Sequence, residues 1–219
     1  MDNIDDISEI DLKNPIYLFI KRLFDFVSSF CLFILLLWLF AIIAILIKKE
    51  DGGTVFYRHY RLGKNGKKIG VYKFRSMKQY DGDLEDILTP EQLKQYRTEF
   101  KIDNDPRITK IGQFLRKSSL DELPQLINIM KGDLSVVGPR PIVPTELSVN
   151  YTENEQSLFL SIKPGLTGYW QAYARNNVTY ESGKRQEMEM YYCHNASLFL
   201  DIKILFKTVE SVFKKSGAH

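Results

Sequence analysis

Two adjacent carboxylates, Asp121 and Glu122, stand in the run Ser-Ser-Leu-Asp-Glu-Leu-Pro-Gln-Leu-Ile-Asn-Ile-Met-Lys-Gly-Asp-Leu-Ser-Val-Val-Gly-Pro-Arg-Pro that fills residues 118–141. Paired carboxylates serve nucleophilic attack, proton transfer or the holding of a hard cation, and they also cap helices with no chemistry at all. The local pattern satisfies the second use. Ser119 as N-cap with Glu122 at the third helical position has capping-box spacing, and Pro124 falls in a first turn where a missing N–H does little harm. Leu123, Ile127 and Met130 predict one apolar helix face, Gly132 the C-terminus, and Gly138-Pro139-Arg140-Pro141 a stiff turn. A helix start of this kind favours negative charge at Asp121 and Glu122.

The candidate partners are cations. Lys73-Phe74-Arg75 would present two positive charges to a phosphate while Phe74 anchors a strand, and Arg140, fixed between two prolines, is a preorganised cation. Other chemistries lack their residues. There is no Walker A or Rossmann glycine pattern, no zinc spacing, and only three histidines, so the chemistry falls to carboxylates and cations.

These residues need elements to position them. A chain of 219 residues suggests one domain with an appendage and suffices to bury a core. The net charge of +3 is unevenly placed. Asp2, Asp5, Asp6, Glu9 and Asp11 precede any basic residue, while lysines and arginines gather at Lys21-Arg22, at Lys48-Lys49, over residues 58–78 and at the C-terminus. Such segregation points to anionic partners. Cys31 and Cys193 lie far apart and make no disulfide framework, which favours a reducing compartment.

Residues 1–15 read as an acidic mobile tail and residues 16–26 as an amphipathic lead-in. Residues 27–47 are apolar apart from Ser28-Ser29, close to the ~20 residues that match a ~30 Å hydrocarbon core. The run lacks the polar stripe of a core helix and the cleavage site of a signal sequence, so it reads as a membrane segment. Positive residues flank both of its ends and leave the side unchosen, and no proline or glycine breaks its middle.

Residues 54–77 predict two strands joined at Asn65-Gly66, with Arg58, Arg61, Lys73 and Arg75 decorating the hairpin. Thr89-Pro90-Glu91-Gln92 starts a helix that reaches about Phe100, Asp103-Asn104-Asp105-Pro106-Arg107 makes a turn, and a short helix carries Ile108, Ile111, Phe114 and Leu115. One polar helix is expected over residues 145–161, a turn and short strand over 163–171, a loop at Ala174-Arg175-Asn176-Asn177, and a helix over 180–192. Ile202, Leu205, Phe206, Val209, Val212 and Phe213 keep helical spacing among Lys203, Lys207, Lys214 and Lys215, which suits a core helix and an interfacial one equally.

Taken in order, Lys21-Arg-Leu-Phe-Asp25, Val71-Tyr-Lys-Phe-Arg-Ser-Met77, Ser119-Leu-Asp-Glu-Leu-Pro-Gln125, Lys131-Gly-Asp-Leu-Ser-Val-Val-Gly-Pro-Arg-Pro141 and Lys163-Pro-Gly-Leu-Thr-Gly168 resemble the monotopic phosphoglycosyl transferases, a family of bacterial sugar transferases. The likeness runs from Ile16 nearly to the C-terminus. It implies transfer of a sugar 1-phosphate from a UDP-sugar to a polyprenyl phosphate, with release of UMP and a requirement for Mg²⁺, at the start of capsule, exopolysaccharide or other glycan assembly. It implies that Asp121 attacks the β-phosphate and carries a phosphosugar, that Glu122 holds Mg²⁺, that Lys73 and Arg140 bind phosphate, and that Arg175 lies near the nucleotide or second phosphate. It also implies a re-entrant membrane hairpin broken at a Ser-Pro pair, whose positions here are Leu37-Trp38. The family's acidic position before paired tyrosines, usually aspartate, is Glu189, and its Gly-Arg is Ala174-Arg175.

The expected fold class is therefore α+β and predominantly helical. Residues 16–50 form a membrane-inserted helix, re-entrant or spanning, and residues 51–219 a compact cytoplasmic catalytic domain with a small β-hairpin and interfacial amphipathic helices. Expected partners are a UDP-sugar, polyprenyl phosphate and anionic lipid at the bacterial cytoplasmic membrane, with no nucleic acid and with room for a homodimer. The rivals are a basic membrane-anchored adaptor, which would not need Asp121 beside Glu122, and a Mg²⁺-dependent sugar-nucleotide hydrolase. The sequence does not name the sugar.

Overall fold

The structure is a computed structural model that describes residues 14–78, 80, 82–99, 102, 105–174, 178 and 180–213. The acidic tail, Asp103-Asn104, Arg175 and Lys214-Lys215 lie outside the described residues. Helices dominate. In chain order they are α1 (Pro15–Leu35), α2 (Leu37–Asp51), α3 (Pro90–Glu99), α4 (Lys110–Ser118), α5 (Gln125–Lys131), α6 (Pro144–Asn150), α7 (Glu153–Ser161), α8 (Tyr169–Ala174), α9 (Lys184–Asn195) and α10 (Leu198–Phe213). The strands are β1 (Phe56–Leu62), β2 (Lys68–Phe74), β3 (Ser135–Val137) and β4 (Gly165–Thr167).

The long apolar run is a bent pair, not one rod. No single described helix is long and apolar enough to cross a membrane, but α1 and α2 together pass that test and meet at 61°. The bend falls at Leu36, one residue from the Leu37-Trp38 positions, and needs no proline. Tertiary contacts explain it. The Phe33 and Phe40 rings meet edge-on at 5.3 Å across the bend, and Phe40 packs in turn at a tilt on Phe74 of β2 at 5.1 Å. Leu36 and Leu39 pack into the same cluster. Aromatic pairs add about 1 kcal/mol each to the area they bury, so the domain grips the inside of the corner. Phe19, Leu35 and Trp38 are left exposed on the outside.

The charged flank before this run has a structural task. Lys21 Nζ lies 2.5 Å from Asp201 of α10, and Arg22 donates to the carbonyls of Ile129 and Met130 at 2.7 Å each, capping α5 with positive charge. Asp25, 2% exposed, accepts from the Val136 N–H at 2.8 Å and the Ser135 hydroxyl at 3.0 Å. These residues dock α1 against α5, β3 and α10. They are not a simple membrane-edge marker.

β1 and β2 pair antiparallel, with Asn65 and Gly66 both at positive φ in the turn, as Asn-Gly predicts. Thr89 and Gln92 exchange backbone-to-side-chain bonds at the start of α3, the expected box. The segment expected as one helix over residues 145–161 is two, because Thr152 makes a capping box with Glu155 and starts α7. The turn and short strand expected over 163–171 hold a strand only at Gly165–Thr167, since a helix begins at Tyr169, and that strand forms a second sheet with β3 in parallel. That pairing is non-local and has no short-range signature. It depends on glycine. A Cβ on Gly138 would strike the Lys163 carbonyl, and one on Gly165 would strike the Gly138 N–H, so the two backbones approach only without side chains.

The main core gathers Val137, Ile142, Phe159, Tyr192, Cys193 and Ile204. α10 meets it through Leu200 and Ile204, while Phe199, Ile202, Phe206 and Val209 face outward. The core reading therefore holds for the buried face, and the other face is an exposed apolar stripe. Cys31 and Cys193 are free thiols, in keeping with the absence of a disulfide framework.

Candidate active site

The carboxylate pair does not sit in a capped helix start. α4 ends at Ser119, whose φ of 58° is left-handed, and Leu120–Glu122 form a 3-10 turn before α5 begins at Gln125. The capping box between Ser119 and Glu122 is absent. No Ser119 side-chain cap bond forms, and Glu122 Oε1 accepts instead from Lys73 Nζ at 2.7 Å. The left-handed Ser119 followed by a 3-10 turn leaves Glu122 reaching Lys73 of β2, where a lysine outcompetes a backbone N–H for its charge. The buried face of α5 is Leu126 and Ile129, with Ile127 and Met130 only half-buried, because the kinked entry rotates the helix from the expected phase. Gly132 closes it in the left-handed conformation as expected.

Lys73 reaches both acids. Its Nζ is 3.7 Å from Asp121 Oδ2, and Asp121 is buried while Glu122 is half-buried. Two devices hold the lysine in place. Phe74, 1% exposed, is stacked on Phe56, packs at a tilt against Phe40, and anchors the end of β2. On the other edge, the Asn128 side-chain amide accepts from the Tyr72 N–H at 2.9 Å and donates to the Gly70 carbonyl at 2.8 Å. A single α5 side chain thus pairs with β2 as a neighbouring strand would. Asn128 is fully buried, so removing it would strand two backbone groups.

A cavity of about 770 Å³ opens beside the acids. Its lining includes Lys73, Glu122, Arg140, His59, Arg61 and Gln125. Arg140 is held by backbone: the Gly138 N–H donates to Thr167 and the Gly165 N–H to Pro139, at 2.9 Å each. Its guanidinium lies 5.5 Å from the Trp170 ring, and among the described residues no carboxylate pairs with it. Arg61 and His59 were read in the sequence only as hairpin decoration or not at all. They sit two apart on β1 and so share a face, and the Arg61 guanidinium meets His59 Nε2 at 2.8 Å. Burial first, then Arg61, Lys73 and Arg140, push His59 down to about 4, so it is a neutral acceptor at pH 7. The alternation of β1 was the signal that could have found the pair.

Arg75 is elsewhere. It forks onto both oxygens of Asp51, at 2.8 Å for Nη1, and Nε donates to the Thr54 carbonyl at 2.5 Å. It fastens the end of α2 to the hairpin and is not brought to the cavity. Arg175 lies outside the described residues.

Behind Arg140 is a second ionic group. Arg185 pairs with Glu146 at 3.0 Å, Tyr180 donates to the same carboxylate at 2.5 Å, and the guanidinium lies against Trp170 at 4.1 Å and Tyr180 at 3.8 Å. Glu189 accepts the Arg140 N–H at 3.2 Å through Oε2, while Oε1 has no hydrogen-bond partner. Burial pushes Glu189 up to about 7, against the pull of Arg185 and Arg140.

A carboxylate in reach of a cavity with surplus cations has the chemistry to hold a phosphorylated anion and to act on it as a nucleophile or metal ligand. Residues 16–215 match the family model described as bacterial sugar transferase, and the chain belongs to that family. It is 44% identical over 204 residues to the UDP-galactose-lipid carrier transferase of Erwinia amylovora, covering 92% of this chain and 42% of that protein. It is 43% identical over 204 residues to the undecaprenyl-phosphate galactose phosphotransferase of Salmonella typhimurium (strain LT2), covering 92% and 42%. To the exopolysaccharide production protein ExoY of Rhizobium meliloti (strain 1021) it is 42% identical over 214 residues, covering 96% and 93%. The chain thus spans 42% of the length of the first two relatives and nearly all of the third.

Proposed function

We propose that the protein transfers a sugar 1-phosphate from a UDP-sugar to a polyprenyl phosphate, releasing UMP and starting exopolysaccharide, capsule or other glycan assembly. The observation that carries this reading is the meeting of Asp121 and Glu122 on Lys73, where Lys73 and Glu122 line a cavity that also holds Arg61 and Arg140 and Asp121 lies just behind them. Family membership and the names of the relatives support a sugar donor, a lipid carrier and phosphotransfer, without choosing the sugar.

In the first step an Asp121 oxygen attacks the β-phosphorus, the bond to the α-phosphate oxygen breaks, and UMP leaves with that electron pair. In the second, an oxygen of polyprenyl phosphate attacks the same phosphorus and returns the Asp121 carboxylate. Lys73, 3.7 Å from Asp121, follows the charge onto the phosphoryl oxygens, while Arg140 and Arg61 receive the remaining phosphate. Arg175 keeps the nucleotide-side role that the resemblance gives it.

Mg²⁺ fits this set of residues. Among the described residues no group of three acidic, histidine or cysteine side chains could enclose a metal, and Mg²⁺ needs none, since one or two carboxylates and substrate phosphates suffice. Glu122 would hold it, exchanging Lys73 for the ion, and the ion would neutralise diphosphate charge. The α1–α2 bend, with its apolar outer face, supports a re-entrant hairpin in the bacterial cytoplasmic membrane, and the proposed substrates place the domain on the cytoplasmic side.

The test is a panel of UDP-sugars with polyprenyl phosphate and Mg²⁺, following UMP. Acceptor-dependent UMP release from at least one sugar is expected. Sugar 1-phosphate released without acceptor would make the protein a hydrolase, and no UMP from any donor would return it to a binding role.

A further inference from the structure

The cavity beside Asp121 has walls of two kinds. β1, β2 and the turn at Arg140 bring the cations, whereas α1, β4 and α10 bring Leu32, Leu166 and Leu205. Thr208 and Ser211 of α10 also line this second wall, but their hydroxyls are used internally. Thr208 Oγ1 bonds the Ile204 carbonyl and Thr167 Oγ1 at 2.8 Å each, and Ser211 Oγ bonds the Ala172 carbonyl at 3.0 Å. What these residues offer the cavity is carbon. A wall of that composition gives a phosphate or a sugar hydroxyl no partner and rewards an apolar group.

The same wall runs out onto the surface of the bent hairpin. Leu32 lines the cavity yet is 40% exposed, and Leu35, three residues on along the same side of α1, is exposed at 67%. An apolar path therefore leads from the cavity to the outer face of the segment that we place in the bilayer. The required occupant has an anionic head for Arg61, Lys73 and Arg140 and an apolar chain leaving toward lipid.

Resting on the transferase reading above, we infer that Leu32, Leu166 and Leu205 hold the isoprene units nearest the phosphate of the polyprenyl acceptor. They seat the acceptor phosphate against Asp121 while the remaining chain passes over α1 into the membrane. These are binding and positioning residues. They act after the donor step, so their loss falls on the acceptor alone.

The test has two arms on the full chain in lipid vesicles. In the first, wild-type protein is photolabelled with a polyprenyl phosphate carrying a diazirine in its first isoprene unit. Label on the peptides bearing Leu166 or Leu205 is expected, and label confined to the outer face of α1 overturns the inference. In the second, Leu205→Gln is expected to raise the KM for polyprenyl phosphate roughly tenfold, the scale of a misfitting group in an apolar pocket. Exchange of labelled UMP into UDP-sugar without acceptor, which reads the donor step and the fold, is measured alongside, and the rise in acceptor KM is expected to exceed any change in exchange several-fold. An unchanged acceptor KM overturns the inference, and if Leu205→Gln loses exchange as well, the wild-type label decides. Wild-type protein that releases no UMP with any acceptor defeats the transferase reading itself, a distinct failure.

Discussion

Two acid–cation groups lie on either side of Arg140 and behave in opposite ways. Arg185 and Glu146 are sealed, with side chains 7% and 6% exposed, and the acid is shared with Tyr180 while the cation is flanked by two rings. Lys73 and Glu122 are 27% and 22% exposed, open to a cavity, and crowded by a second acid and further cations. Both are ion pairs at about 3 Å. The closed group has its charges matched and its geometry fixed, which suits scaffold. The open group has partners to exchange, which suits chemistry on a charged substrate. Exposure and unmatched charge separate the two roles more sharply than distance does.

The largest effect that sharpens this contrast is on turnover. Lys73→Met should lower UMP release by about 10³-fold, roughly 4 kcal/mol, with unfolding unchanged within about 1 kcal/mol. Turnover within threefold of wild type would make Lys73 scaffold. Arg185→Met should do the reverse, costing about 3–4 kcal/mol in denaturant unfolding because Glu146 is left buried without its cation. A cost below about 1 kcal/mol would show that the pair is not sealed.

Glu189 tests the boundary between the groups. Its folded pKa of about 7 stands above the ordinary 4.5, so the folded chain holds an extra proton between those values and loses stability as pH rises through them. His59, held down at about 4, works against this, since raising the pH from about 4 to 6.5 adds stability. The variant Glu189→Gln keeps an acceptor for Arg140 and isolates the glutamate. Its stability relative to wild type should grow across pH 4.5–7 by on the order of 3 kcal/mol, seen in unfolding midpoints, and a flat difference would contradict the burial argument. The smallest effect belongs to Arg75→Lys, which loses the fork onto Asp51 at a cost of about 1 kcal/mol and leaves turnover unchanged. A large loss of turnover would bring Arg75 back into the site.

The sequence made some of this legible. Asn65-Gly66, Thr89 through Gln92 and Gly132 act through contacts a few residues apart, so their turns and ends could be read directly. The carboxylates, Lys73 and Arg140 were also visible, as residue types beside recognisable punctuation. What escaped was long-range. Phe33, Phe40 and Phe74 bend the apolar run without a proline, and Lys73 draws Glu122 out of its capping box. Asn128 stitches α5 to β2, and the β3–β4 pairing fixes Arg140 across an approach open only to glycine. His59 and Arg61 became site residues because one strand face closes over a cavity. Phe74 for Phe40, Glu122 for Lys73, Tyr72 for Asn128 and β4 for β3 are all partners distant in sequence, where no local propensity speaks.

The central claim is that Asp121 carries the phosphosugar, and it is tested most directly by trapping. The chain is incubated with an accepted UDP-sugar and no polyprenyl phosphate, quenched, and digested for mass spectrometry. The account predicts about one UMP released per chain and a sugar-phosphate mass added to the peptide at Asp121, lost again when acceptor is supplied. No adduct together with full turnover by Asp121→Asn, or an adduct on Glu122, would contradict it.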